Sequence, residues 1–264
     1  HFSPSPDIND WYETTKLNYG VNYVEGKQKQ FDPIPDTWLK MKQVLQFWAS
    51  KKIDGFRCDM AEMVPVEFWK WVIPQIKEQY PDVIFIAEVY NPDQYRNYIF
   101  EGKFDYLYDK VGMYDTLRSI LSRNQPARNI TSKWMEVSDI QDKMLQFLEN
   151  HDEQRIASGF FAGDGIYACP AMIIAATLTR APVMIYFGQE LGEKGMDHEG
   201  FSGIDGRTSI FDYWSLSTVR AWANNGKFDG AGLNEEQKYI RECYKKLLNI
   251  ALTEKAITKG VMYD

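Results

Sequence analysis

Arg57 and Asp59 put a guanidinium and a carboxylate two positions apart in the chain. Side chains of a strand alternate between faces, so Ile53, Gly55, Arg57 and Asp59 share one face while Asp54, Phe56 and Cys58 share the other. A neighbouring guanidinium favours the ionised form of a carboxylate, and the ionised form is the one that can attack an electrophilic carbon. The plainer alternative is an ion pair that closes a strand end. Three further segments also finish on acids: Val83 to Glu88, Met144 to Asp152 and Pro182 to Glu190. The first is apolar on both faces, the pattern of a buried parallel strand. An acid at such a tip has its own plain alternative, a helix N-cap at a strand-to-helix junction.

The elements that would carry these acids follow a repeat. A helix is expected from Asp36 as N-cap to about Lys51, with Trp38, Met41, Leu45 and Trp48 at three- and four-residue steps. It feeds a strand over 53–59. A second helix over 65–79 has Val66, Trp69, Ile73 and Ile76 in phase, and Pro74 is expected to kink or shorten it. Phe104 to Asp109 reads as a further strand, with a helix around 113–123 after it, and Ala168 to Arg180 is apolar and of helical length. A Gly- and Asp-rich loop covers 192–212, and Asn234 to Leu252 forms a final amphipathic helix.

With about 30 residues to a βα unit, Asp59, Glu88, Asp152 and Glu190 are separated by one, two and one units. Acids in register with the C-terminal ends of parallel strands are what the active-site face of a (β/α)8 barrel provides. An open doubly wound sheet also places sites there, but no strand is followed by a Gly-rich phosphate loop. The fold class expected is α/β, a (β/α)8 barrel of the TIM type, incomplete because five strands are legible where eight are needed. Residues 1–35 read as an irregular loop segment before the third barrel helix, 36–257 as the C-terminal part of the barrel, and 258–264 as the truncated start of a C-terminal β domain. An incomplete barrel exposes the 53–59 and 182–188 strands as apolar edges, so self-association through them, or pairing with a missing segment, is expected.

Composition narrows the function classes. The 264 residues are 44% hydrophobic and carry a formal charge of −7, with no Lys or Arg run longer than a pair, which argues against a nucleic-acid partner. No apolar stretch reaches about 18 residues, so no membrane span is expected, and no compartment is assigned. Cys58, Cys169 and Cys243 are too widely spaced to suggest a disulfide framework or a zinc site, and are expected to be buried apolar residues. The eight Trp and sixteen Tyr suit sugar faces as well as cores.

Three segments together resemble the α-amylase superfamily, glycoside hydrolase family 13. Asp54 to Asp59 resembles the motif of the fourth barrel strand, whose Arg stands two residues before the nucleophilic Asp. Phe85 to Glu88 resembles the fifth-strand motif ending in the acid/base Glu, with Ala87 where many members have Gly. Leu148 to Asp152 resembles the seventh-strand motif with its His-Asp pair. Trp11 to Tyr19 is similar to the segment before the third barrel helix, and Tyr186 to Glu190 to the eighth strand. The motif with an Asn-His pair after the third strand is absent, and two or three further βα units carrying it are expected upstream of His1.

The resemblance implies retaining hydrolysis of α-1,4-linked glucans, with Asp59 as nucleophile, Glu88 as acid/base and Asp152 as transition-state stabiliser. Arg57, His151 and Tyr90 would contact substrate, with Phe211 and Trp214 as further stacking candidates. Glu190 is expected to be structural, the Gln189-Glu190 pair bracing a strand end, and His198 to be a solvated loop residue. No cofactor or catalytic metal is implied, and a structural calcium in the full-length protein is compatible with the family. An α-glucan transglycosylase shares every one of these motifs, and a non-catalytic carbohydrate-binding relative is the remaining alternative.

Overall fold

The computed structural model describes residues 17–263 apart from 199, 201, 202, 213 and 214, so Trp11 and Trp214 lie outside the described residues. The chain divides into two compact units, His1–Leu107 and Tyr108–Asp264.

In the first unit a two-residue antiparallel ladder, β1 (Val21–Asn22) with β2 (Gln28–Lys29), precedes helix α1 (Asp36–Ala49). Pro35 holds the N-cap position, not Asp36. A proline there needs no N–H, and Asp36 becomes the first helical residue, paired with Lys40 at 2.5 Å. Trp38 and Leu45 are buried as their phase predicts, but Trp48 is half exposed. Strand β3 (Gly55–Cys58) leads through a turn to α2 (Val66–Gln79), and β4 (Ile84–Ala87) and β5 (Tyr106–Tyr108) follow. Pro74 sits inside α2 without ending it. Ile73 and Ile76 are fully buried on either side of it, each worth about 1.5–3 kcal/mol of burial, comparable to the cost of the lost helical bond. Trp38, Phe68, Trp69 and Phe104 form a ladder of ring contacts 4.9–5.6 Å apart between the helices and the strands.

β3, β4 and β5 are parallel, with Gly55 opposite Ile84, Arg57 opposite Ile86, Cys58 opposite Ala87, and Ala87 opposite Leu107. This in-register pairing brings Asp59 and Glu88 out side by side.

In the second unit Asp109, the acid at the end of the third predicted strand, is a structural group. Its carboxylate accepts from the Met113 N–H at 2.8 Å and from Gln146 Nε2 at 2.9 Å, and burial pushes its carboxyl up. Helices α3 (Asp115–Leu121) and α4 (Asn129–Glu136) come next, then β6 (Met144–Phe147), every residue of which is buried. Helix α5 (Cys169–Thr177) leads to β7 (Val183–Met184), which pairs with β6 in parallel, Phe147 opposite Met184. A helix α6 (Ser217–Ala223) follows the 192–212 loop, and α7 (Glu235–Thr253) begins with a capping box between Asn234 and Gln237. Residues 260–263 are outside regular structure. Of the cysteines only Cys58 is buried, its thiol pushed up to about 12 by that burial, while Cys169 and Cys243 are half-buried. Among the described residues no helix is long and apolar enough to cross a membrane.

Candidate active site

In the first unit the exits of β3 and β4 form one constellation. The parallel ladder runs on past the strands, with the Glu88 N–H donating to the Cys58 carbonyl at 3.1 Å. Met60 then turns into the left-handed region, at φ 43°. A non-glycine residue held there costs energy and is found preferentially at functional sites. Glu88 holds the turn in place: its Oε2 accepts the Met60 N–H at 2.8 Å, and its carbonyl accepts the Ala61 N–H at 3.0 Å. In return Glu62 accepts the N–H groups of Tyr90 and Asn91 at 3.1 and 3.3 Å.

Arg57 stands between the two acids. One of its amino groups donates to Asp59 Oδ1 and the other lies 2.9 Å from Glu88 Oε1. The Tyr90 hydroxyl donates to the same Glu88 oxygen at 2.8 Å. The two carboxylates sit in different surroundings. The Asp59 side chain is 76% exposed, whereas that of Glu88 is 3% exposed. The two Glu88 oxygens each accept one hydrogen bond, Oε1 from the Tyr90 hydroxyl and Oε2 from the Met60 N–H, with Arg57 in ion-pair contact beside Oε1.

The second unit holds His151 and Asp152. Asn150 Oδ1 accepts the N–H groups of Asp152 and Glu153 at 2.8 and 2.9 Å, a side-chain-capped turn that presents both residues. His151 Nε2 lies 3.3 Å from Asp152 Oδ2, and the Asp152 side chain is about half exposed. Gln189, not Glu190, braces the end of β7, accepting the Tyr186 N–H at 3.1 Å and donating to the Tyr244 hydroxyl at 3.1 Å. Phe211 and His198 are exposed.

Sequence reading missed an ion pair in this unit. Arg155 and Glu149 are both fully buried and 2.8 Å apart. Burial pushes the Glu149 carboxyl up to about 7, against the lowering pull of Arg155 and the Ile156 N–H. The folded chain therefore binds this proton more tightly than the unfolded chain does. Its contribution to stability is fullest below the ordinary value of 4.5 and is lost as pH rises to about 7. The melting-temperature advantage of the native chain over Glu149→Gln is thus expected to shrink between those pH values, by the equivalent of ~1–3 kcal/mol. Thermal unfolding of both chains across that range checks it, and a constant gap contradicts it.

Among the described residues, no group of three or more His, Cys, Asp or Glu is placed to hold a metal ion.

Residues 9–241 match the family described as Alpha amylase, catalytic domain. The chain is 27% identical to Alpha-amylase 3 of Dictyoglomus thermophilum over 97% of its own length and 54% of that protein's. It is 31% identical to an alpha-1,4-glucan:maltose-1-phosphate maltosyltransferase of Cereibacter sphaeroides over 32% of its length and 15% of the relative's. Among solved structures it superposes on a cyclic alpha-maltosyl-(1→6)-maltose hydrolase of Arthrobacter globiformis in complex with maltose. The TM-score is 0.67 at 15% identity, covering 94% of this chain and 55% of that one. The likeness shows the fold, an incomplete (β/α)8 barrel, and the chain spans about half the length of these fuller matches.

Proposed function

Because the chain belongs to the alpha-amylase catalytic-domain family, we propose that it supplies the acid-bearing strands of a retaining glycoside hydrolase acting on α-1,4-linked glucans. The observation that carries this reading is the in-register exit of Asp59 and Glu88, bridged by Arg57. Adjacent strands lie about 4.8 Å apart. Retaining enzymes need carboxyl groups about 5–5.5 Å apart, whereas inverting enzymes need about 6.5–9.5 Å.

In this reading the exposed Asp59 attacks the anomeric carbon. Arg57 holds its carboxylate in place through the approach. Glu88 protonates the departing glycosidic oxygen and then takes the proton of the incoming water. The Tyr90 hydroxyl and the Met60 N–H fix the plane of the Glu88 carboxyl for both steps. For Asp152 and His151 we propose the role that the family motif implies. They hydrogen-bond sugar hydroxyls and stabilise an oxocarbenium-like transition state electrostatically. The domain reading belongs with this one: 36–257 is the C-terminal part of the barrel.

Transfer to a second sugar is the other reading, favoured by the likeness to maltosyltransferases over a third of the chain. Incubating the full-length protein with maltoheptaose separates the two. Hydrolysis gives only products shorter than the substrate, and products longer than maltoheptaose would overturn it.

A further inference from the structure

Arg155 is fully buried, and an ion taken out of water costs several kcal/mol unless its partners restore what water gave. The Glu149 carboxyl is its acid partner, and the remaining partners come from other segments. Nε donates to Thr208 Oγ1 at 3.1 Å, and Nη1 donates to Glu149 at 2.8 Å and to the Phe187 carbonyl at 2.9 Å. The guanidinium also lies over the Tyr186 ring, 4.4 Å from its centroid. Its own backbone N–H donates to the Gly206 carbonyl at 2.6 Å. The satisfaction is incomplete, since Nη2 has no hydrogen-bond partner. Replacing a buried ion pair by apolar residues of similar volume is often neutral or stabilising. Stability alone therefore gives no reason for this group.

We infer that Arg155 is a positioning residue for Asp152: one guanidinium ties the exit of β6 to the exit of β7 and to the 205–208 loop, and so fixes the turn that carries His151 and Asp152. The inference rests on the role proposed above for Asp152. Two routes lead from Arg155 to that residue. The first runs through Glu149 to the next residue, Asn150, whose side chain caps the Asp152 and Glu153 N–H groups. The second runs through Gly206 and Thr208 to the residue between them, Arg207, whose Nη1 donates to the Asp152 carbonyl at 3.4 Å. The loop also packs closely against the segment that follows Arg155. Gly206 adopts φ +77°, and a Cβ there would meet Ser158 Oγ at 2.7 Å. A lysine keeps the charge but lacks the planar fork that reaches three segments at once.

A double-mutant cycle of Arg155→Lys with Asp152→Asn in the full-length protein, assayed on an activated aryl α-maltoside, tests the inference. Arg155→Lys is expected to lower kcat about 10²-fold with KM little changed, the scale of a small misplacement. In the Asp152→Asn background the same change is expected to cost less than about 3-fold, because effects carried through one residue are not additive. Equal losses in both backgrounds, or none in the native one, overturn the inference. Amide hydrogen exchange is the independent arm: faster exchange at Asp152 and Glu153 in Arg155→Lys supports the clamp, and unchanged exchange overturns it. If the native protein cleaves no glucoside, the proposed function fails and the exchange result still decides the clamp. Should Arg155→Lys not fold, Thr208→Val removes only the Nε acceptor and is expected to show the same pattern more weakly. A Thr208→Val chain with unchanged kcat and unchanged exchange overturns the clamp.

Discussion

Asp59→Asn is expected to lower kcat of the full-length protein on maltoheptaose by about 10⁴-fold or more, because the amide has the shape of the carboxylate but cannot form the glycosyl ester. The fold should hardly notice. The Asp59 side chain is 76% exposed and its charged contact is with Arg57, which keeps Glu88 as a second anion. A pair so open to solvent contributes about 0–1 kcal/mol, so the melting temperature should stay close to that of the native protein. Steady-state kinetics and a thermal melt on the same preparation check both halves. A variant with kcat within about tenfold of the native value would remove Asp59 from the mechanism.

Glu88→Gln is the second large effect, and its size should depend on the substrate. General acid–base catalysis contributes about 10²–10⁴-fold. Cleaving maltoheptaose needs a proton on a poor leaving group, whereas a dinitrophenyl glycoside departs without one. The loss is therefore expected to approach 10³-fold on maltoheptaose and to be much smaller for the first step on the aryl substrate. The glutamine oxygen can still accept from Met60 or Tyr90, so the turn at Met60 keeps part of its support. An equal loss on both substrates would mean that Glu88 acts by holding Arg57 and Met60 in place and not by giving a proton.

Much of this arrangement was legible in the residues, and the failures have local causes. The strand leading to Glu88 was readable because a buried parallel strand is apolar on both faces. Strand lengths were overread. The strand expected over 144–152 stops at Phe147, and the Asn150 side chain then caps the Asp152 and Glu153 N–H groups in a turn. The one expected over 182–190 shortens to Val183–Met184, because Gln189 folds back onto the Tyr186 N–H. Helix α7 was readable to within one residue at each end, since its cap is encoded by Asn234 and Gln237 three positions apart. Arg155 gave no signal at all. Its partner Thr208 lies 53 residues further along, and periodicity in a short window carries no information about such a contact. Glu62 was invisible for the same reason, its partners Tyr90 and Asn91 being 28 and 29 residues away.

In the proposed mechanism Asp59, and no other carboxylate, becomes bonded to sugar during turnover. Trapping the full-length protein with a fluorinated α-maltosyl fluoride that forms the glycosyl-enzyme quickly and releases it slowly, then mapping the label by peptide mass spectrometry, tests it directly. One stoichiometric sugar ester is expected on the peptide containing Asp59, with turnover of the untrapped substrate retaining the α configuration. A label on Glu88, Asp152 or any other residue, or β-configured product with no ester formed, would contradict it.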